Sequence, residues 1–407
     1  MPKRLLIVAD AFTRPLYGPR MTQLCKYLSA SGWNITLITE RINGDDYVVP
    51  NCRFLAMLYY SANPIVRRLQ WLADKLFDGK DRRLYAFYRK KLCAENFSLI
   101  LCSSFNLFPL PAAYRIAQER HLPLVVDLRD IIEQWNSDSY IASNIHLSKW
   151  FKRKLVRLYE KKCIRKRNFV LQYADCVTTI SPWHQQFLQA FNLNTHLIYN
   201  GFDHDKYFKK NEKSEQFVIS YTGRLYDFKS RNPQLFLEAI CNLHAARLIS
   251  KKSLQIEFHI EQCMVAPLQE WVNRLGIEEY FSISNYVSRD DALSLLQRSS
   301  VSLIFVAAPS SMAPHGVMTT KFFEALGCEK PVLCVPSDEG CLADVIRQSN
   351  AGVAAASVAE IEQFILEKYH EWQQFGYTHQ PVNQEEKAKF SRQTQARQFE
   401  ELFLELL

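Results

Sequence analysis

Apolar positions along the chain follow two alternating rhythms. Short β-rich runs such as Arg4–Ala9 (RLLIVA) alternate with stretches whose apolar residues recur at helical spacing, as Leu24, Tyr27 and Leu28 do. In the first half the pattern predicts strands at Arg4–Ala9, Trp33–Thr39, Leu99–Ser103, Leu124–Asp127, Cys176–Ile180 and His196–Tyr199. A helix from about Pro19 to Ala30 ends at Ser31-Gly32, and Pro182 suits the first turn of another. A second series follows the charged stretch 206–215, with strands at Phe217–Thr222, Leu254–Ile260, Val301–Val306 and Pro331–Val335. Helices are predicted at Asn232–Leu248, Asp290–Arg298 and Thr319–Leu326, and a last amphipathic helix over Gln384–Leu407. Strand–helix alternation of this kind predicts an α/β fold of two doubly wound, mostly parallel sheets facing each other across a cleft. Ligands of such sheets bind at the carboxyl ends of the strands.

A chain of 407 residues exceeds the ~250–300 that one core sustains, so two domains are expected. The division is placed at 1–203 and 204–383, with 384–407 as a helix that could cross back to the first domain. No apolar run reaches the ~18 residues of a spanning helix, and the start of the chain is strand-like rather than a signal peptide. Eleven cysteines without CxxC spacing point to buried thiols in a reducing cytoplasm. Residues 1–200 hold 29 Lys/Arg against 15 Asp/Glu, a balance of +14 within a chain of +8 overall, so the second half is at −6. Only the first half is therefore expected to face a polyanion.

Two segments could carry chemistry. In Tyr221–Lys229 a strand runs into Gly223, and Arg224 and Lys229 follow five residues apart. Glycine lets phosphate oxygens approach the backbone, arginine grips them bidentately, and lysine adds a point charge. The alternative is a solvated basic turn. In Gly316–Leu333 a Thr319-Thr320-Lys321 turn opens a helix after an apolar strand, with Glu324 one turn further in. Thr319 and Thr320 can cap that helix, whose exposed amides attract phosphate oxygens. Glu324, among Phe322, Phe323 and Leu326, either needs a partner such as a ribose diol or pairs with Lys321 on a solvated face.

In this order and about 100 residues apart, the two segments resemble the retaining GT-B glycosyltransferases of family 4, particularly those building bacterial surface polysaccharides. The resemblance runs through Ala9–Thr39 with Gly18 and Arg20, Asp127-Leu128-Arg129-Asp130 before Trp135, Ala174–Ser181, Asn200-Gly201-Phe202-Asp203, and Asn285–Leu293. It implies a metal-independent transfer from a nucleotide-sugar donor to a glycan or lipid-linked acceptor, with no cofactor. Arg224 and Lys229 would bind the diphosphate and stabilise the leaving nucleotide, and Gly223 would sit beneath it. Gly18 and Asn200 would join the donor site. Glu324 would take the ribose hydroxyls, and Thr319, Thr320 and Lys321 the phosphate oxygens. Asp130 would orient or deprotonate the acceptor hydroxyl, if it is not held in a structural salt bridge.

One departure stands out: the family's Glu-x7-Glu pair keeps only its second acid, because Gly316 occupies the first position. His315 beside it is either a sugar contact or a plain loop residue. The lost acid also motivates a reading as a non-catalytic GT-B scaffold or partner subunit, and the shared two-domain cleft a reading as a GT-B-like sugar epimerase or phosphorylase. Asp203-His204-Asp205 is formally a D-x-D but lies in the linker, so no metal site is expected, and nucleic acid is not an expected partner. Stretches 67–91 and 149–167, rich in Lys, Arg and aromatic residues, suit an anionic inner-membrane surface or else pack their apolar sides on the sheet.

Overall fold

A computed structural model describes residues 3–10, 19–40, 51–104, 107–134, 149–210, 213–228, 231–309 and 314–407. Its contacts divide the chain into two compact units, Met1–Asn200 with Arg392–Leu407, and Gly201–Ser391.

The first unit is built on a parallel sheet. Its strands are β1 (Arg4–Ala9), β2 (Asn34–Glu40), β3 (Cys52–Met57), β4 (Leu99–Ser104), β5 (Leu124–Leu128), β6 (Cys176–Thr179) and β7 (Thr195–Leu197), in the order β3-β2-β1-β4-β5-β6-β7. Central strands are buried on both faces, which is why they appear in the sequence as unbroken apolar runs. Successive side chains feed two cores. Leu6 and Val8 join Leu84, Tyr88 and Leu92 of α3 (Gly79–Leu92) and Ala113 and Ile116 of α4 (Leu110–Arg120). Leu5 and Ile7 join Leu24 and Leu28 of α1 (Pro19–Ala30) on the other face. α2 (Pro64–Phe77), α5 (Lys149–Tyr173) and the short α6 (Pro182–Leu188) belong to the same unit.

β3 has no counterpart in the predicted strands. It is an edge strand with every residue at least partly exposed, so Cys52–Met57 lacks the apolar continuity of its neighbours.

Among the described residues the second unit has six parallel strands, β8 (Phe217–Thr222), β9 (Leu254–Ile260), β10 (Phe281–Asn285), β11 (Val301–Phe305), β12 (Val332–Val335) and β13 (Gly352–Ala354). Their order is β10-β9-β8-β11-β12-β13. The helices are α7 (Gln234–Ala245), α8 (Gln262–Leu275), α9 (Arg289–Arg298), α10 (Thr320–Gly327), α11 (Cys341–Gln348) and α12 (Val358–Phe375). Strand order reverses direction between β8 and β11, the place where doubly wound sheets open a crevice.

The predicted last helix is two. α13 (Gln384–Lys389) stops at Phe390, and α14 (Arg392–Glu405) starts after Ser391. Phe202 donates its N–H to the Phe390 carbonyl at 3.0 Å and bridges to Ser391, which ties both connecting segments into the second unit. α14 then lies on α1 in the first unit. Trp33 Nε1 and Lys3 Nζ donate to Glu400 at 3.0 and 2.9 Å, and Phe403 meets the Trp33 ring edge-on at 5.6 Å.

Candidate functional site

At the second unit's switch point, β8 ends at Thr222 and the chain turns through Gly223 at φ +130°, its N–H bonded to the His259 carbonyl at 2.9 Å. This glycine answers two demands at once. The backbone conformation disfavours other residues, and a Cβ would collide with Nζ and Cε of Lys321. Lys321, in the first turn of α10, thus lays its ammonium directly on the glycine. Burial, reinforced by the charge of Arg231, lowers the Lys321 pKa to about 8 against the pull of Glu324 and Glu261.

Glu261 shapes the rest of the turn by accepting the N–H groups of Leu225 and Tyr226 at 2.8 and 2.6 Å. It thereby holds Tyr226 at φ +60°, a conformation a bulky side chain rarely adopts. Arg224 is exposed, its guanidinium 5.9 Å from the Tyr226 ring, while its carbonyl accepts Tyr221 Oη at 2.6 Å and a bond from Arg231. Lys229 lies outside the described residues.

Beside the Gly223 turn is a recess lined by Thr222, Ser302, Tyr207, Arg289, Lys321 and Glu324 among others. Glu324 Oε1 accepts Tyr207 Oη at 2.9 Å. Burial, then the neighbouring Glu324 charge, pushes the Tyr207 phenol well above its usual range. Glu324 is therefore not on a solvated face: it is half-buried, with a phenol as its hydrogen-bond partner and Arg289 among its charged neighbours. Thr319 occupies the N-cap position of α10, but its side chain makes no capping bond, contrary to expectation, and Thr320 is exposed. Gly316 has φ +63°, and His315 is exposed. A glutamate at position 316 would be forced into the left-handed region, which gives the missing acid a backbone explanation.

In the first unit, Arg20 is buried against Asp127, which is wholly inaccessible, with Nε–Oδ2 3.2 Å and Nη2–Oδ1 3.0 Å. Its remaining donors reach the carbonyls of Ile198 and Tyr199, and Phe399 stacks on it at 5.2 Å. Arg129 donates to Asp10 at 2.8 Å. Asp130, the residue weighed against a structural salt bridge, instead accepts Gln134 Nε2 at 2.9 Å. Burial raises its pKa to about 6, against the lowering effect of that bond and of Arg129. Asn200 accepts a bond from Arg392 at 3.2 Å. Gly18 and Trp135 lie outside the described residues.

Tyr207, Arg231, Glu261 and Arg289 join the site without having been singled out. Tyr207 sits in a charged linker and no spacing marks it, whereas Arg289 follows the Asn285–Ser288 stretch and could have been found there. Asp203, His204 and Asp205 bring ligand atoms within 4.8 Å of one another, the one such trio among the described residues. Asp203 is buried and already caps the Asp205 N–H at 3.2 Å.

Residues 19–206 match the family described as Glycosyltransferase Family 4. No curated protein matches the chain. Among solved structures, it is similar to sucrose-phosphate synthase of Thermosynechococcus elongatus, at 14% identity over 99% of each chain and a TM-score of 0.66. It is also similar to HepE of Anabaena in complex with UDP and glucose, at 15% identity over 98% of this chain and 99% of that one, TM-score 0.63. The apo form of the lipopolysaccharide outer core galactosyltransferase WaaB matches at 12% identity over 99% and 100%, TM-score 0.60. At such identities the likeness is one of fold, the GT-B arrangement of two Rossmann-like domains.

Proposed function

We propose, for a chain whose residues 19–206 carry a glycosyltransferase family 4 match within a GT-B fold, that it moves a sugar from a nucleotide-sugar donor to a glycan or lipid-linked acceptor of a cell-surface polysaccharide, on the cytoplasmic side of the membrane. The observation that carries this reading is the recess at the β8–β11 switch point, where Lys321 rests on Gly223 and Glu324 is paired with Tyr207. Solved HepE complexes with UDP and with UDP-glucose support a nucleotide-sugar donor, and the likeness to the lipopolysaccharide outer core galactosyltransferase WaaB supports a surface glycan as acceptor.

As the glycosidic bond breaks, negative charge develops on the departing diphosphate. Arg224, Lys229 and Lys321 would oppose it, together with the first-turn amides of α10 beside Thr319 and Thr320. Three cations can meet that charge, so transfer would proceed in the presence of a chelator. Glu324 would exchange its Tyr207 bond for the ribose hydroxyls, and His315 and Gly316 would border the sugar. Asp130 would accept the acceptor proton. A weak base suffices because leaving-group departure is advanced when attack comes from the same face, the route to retained configuration. The basic first unit would rest on the anionic inner leaflet, where lipid-linked acceptors are found.

Release of nucleoside diphosphate from a panel of UDP-, GDP- and ADP-sugars tests the reading. Arg224→Ala and Glu324→Ala should each lower release at least about tenfold, the loss of one charge-assisted interaction in the transition state. Release from no donor would favour the scaffold reading that Gly316 motivates. Interconversion of sugars without net diphosphate would mark an epimerase.

A further inference from the structure

Surface helices turn their apolar stripe inward. In the first unit α3 does so through Leu84, Tyr88 and Leu92, and α5 through Val156, Cys163, Val170 and Leu171. The aromatic and apolar residues of those two helices are thus partly spent on their own core, and several cations are paired. Arg167 makes a bidentate bond with Glu133 at 2.6 Å, Lys162 and Lys166 pair with Asp78, and Arg83 with Asp74.

α2 is inverted. It has no buried residue, and Ile65, Leu69, Leu72 and Leu76, at helical spacing on one face, are 71%, 62%, 49% and 56% exposed. Its polar residues hold it to the rest of the unit. Gln70 accepts the Ser61 N–H at 2.7 Å, Asp74 accepts Arg83 at 2.8 Å, and Lys75 donates to Tyr159 Oη at 3.2 Å. Lys162 of α5 donates to the carbonyls of Lys75 and Leu76, both at 2.9 Å. Asn63 caps the helix by accepting from Ile65 and Val66, so the helix is formed before anything covers it.

We infer that α2 inserts its Ile65–Leu76 stripe into the interfacial layer of an anionic bilayer. Charge selects this occupant. Arg67 and Arg68 are exposed on α2 itself, Lys161 and Arg165 are exposed on the adjoining α5, and residues 1–200 carry +14. Anionic headgroups draw such a surface in, and the stripe then leaves water. A second copy of the chain would bring the same cations face to face. The inference deepens the inner-leaflet part of the proposed function by naming the element that enters the lipid, and it requires no catalysis.

Co-sedimentation of the full chain with phosphatidylcholine vesicles, with and without phosphatidylglycerol, tests it. The chain should pellet with the anionic vesicles. Leu69→Asp combined with Leu72→Asp should lower the partition coefficient at least about tenfold with an unchanged thermal melt, since both residues are exposed. Arg67→Gln with Arg68→Gln should weaken binding and flatten its salt dependence. The inference is overturned if the wild-type chain pellets with no vesicle, if it binds neutral vesicles equally well, or if the Leu69/Leu72 variant binds as the wild type does. A wild-type dimer that the same variant converts to a monomer would also overturn it, because the face then joins two copies. Diphosphate release is read separately, so either proposal can fail while the other stands.

Discussion

Arg20 and Asp127 form an ion pair from which water is excluded, and the carbonyls of Ile198 and Tyr199 take up the remaining guanidinium donors. Removing one partner strands the other charge. Arg20→Ala should cost about 3–5 kcal/mol in urea unfolding, whereas exposed Arg53, paired with Glu95, should cost under about 1 kcal/mol when replaced. Two other buried groups give stability a pH dependence of opposite sign. Burial, then the charge of Arg167, lowers the pKa of His184 from 6.5 to about 4. The unfolded chain therefore binds the proton first as pH falls, and on the order of 3 kcal/mol should be lost between pH 6.5 and 4. His184→Phe should flatten that limb of a urea-midpoint profile. Burial raises Asp81 to about 7, so its contribution is complete below pH 3.8 and lost as pH rises through about 7. Asp81→Asn, which keeps an acceptor for the Ala112 N–H, should raise stability at pH 8 by roughly 1–3 kcal/mol and have little effect at pH 4. None of this is visible in one dimension. Arg20 and Asp127 appear in the sequence as motif letters, and the packing of Lys321 on Gly223 joins residues almost a hundred positions apart.

Elements were legible in proportion to their burial. β1, β8 and β9 coincide with their apolar runs because both faces are covered or the strand alternates cleanly between core and partial exposure. β3 went unseen because an edge strand carries little apolar signal. The stretch 67–91 spans two helices that divide at left-handed Asp78, and the Asp78-Gly79 pair is the local turn signal for that break. The tail was expected as one helix because its apolar positions continue through Phe390, although that side chain turns to Phe322 and Phe323 of the second unit while Phe399 and Phe403 serve the first. α14 is an integral layer of that first core. Ending the chain at Ser391 would uncover Leu24, Leu28 and Trp33, and should lower the melting temperature of the first unit by more than about 10 °C or leave it insoluble, as differential scanning calorimetry would show.

On the scale of the whole molecule, one apolar cluster, around Phe217, Phe258 and Phe305, gathers residues of the second unit, and two others gather residues of the first. A nucleoside diphosphate that occupies the Gly223–Lys321–Glu324 recess should stabilise the second unit, by about 2.7 kcal/mol at a hundredfold excess over its dissociation constant. Hydrogen exchange should slow in β8, in α10 and in the turn that Glu261 holds. Uniform protection of β1–β7 without those segments would place the nucleotide elsewhere. Fold class was legible from the strand–helix alternation and the order of motifs, since each of these signals is local. The partners of Glu324 and Asp130 were not, because Tyr207 and Gln134 are ordinary residues until the chain folds.

The return of α14 to the first unit also bears on biosynthesis. A ribosome emits residues 1–200 early, yet the sheet they form lacks its outer cover until Arg392–Leu407 emerges. The intervening unit, continuous from Gly201 to Ser391, can close before the one that precedes it. For that interval the nascent chain presents the bare face around Trp33 and Leu28, the surface on which a holdase chaperone would act.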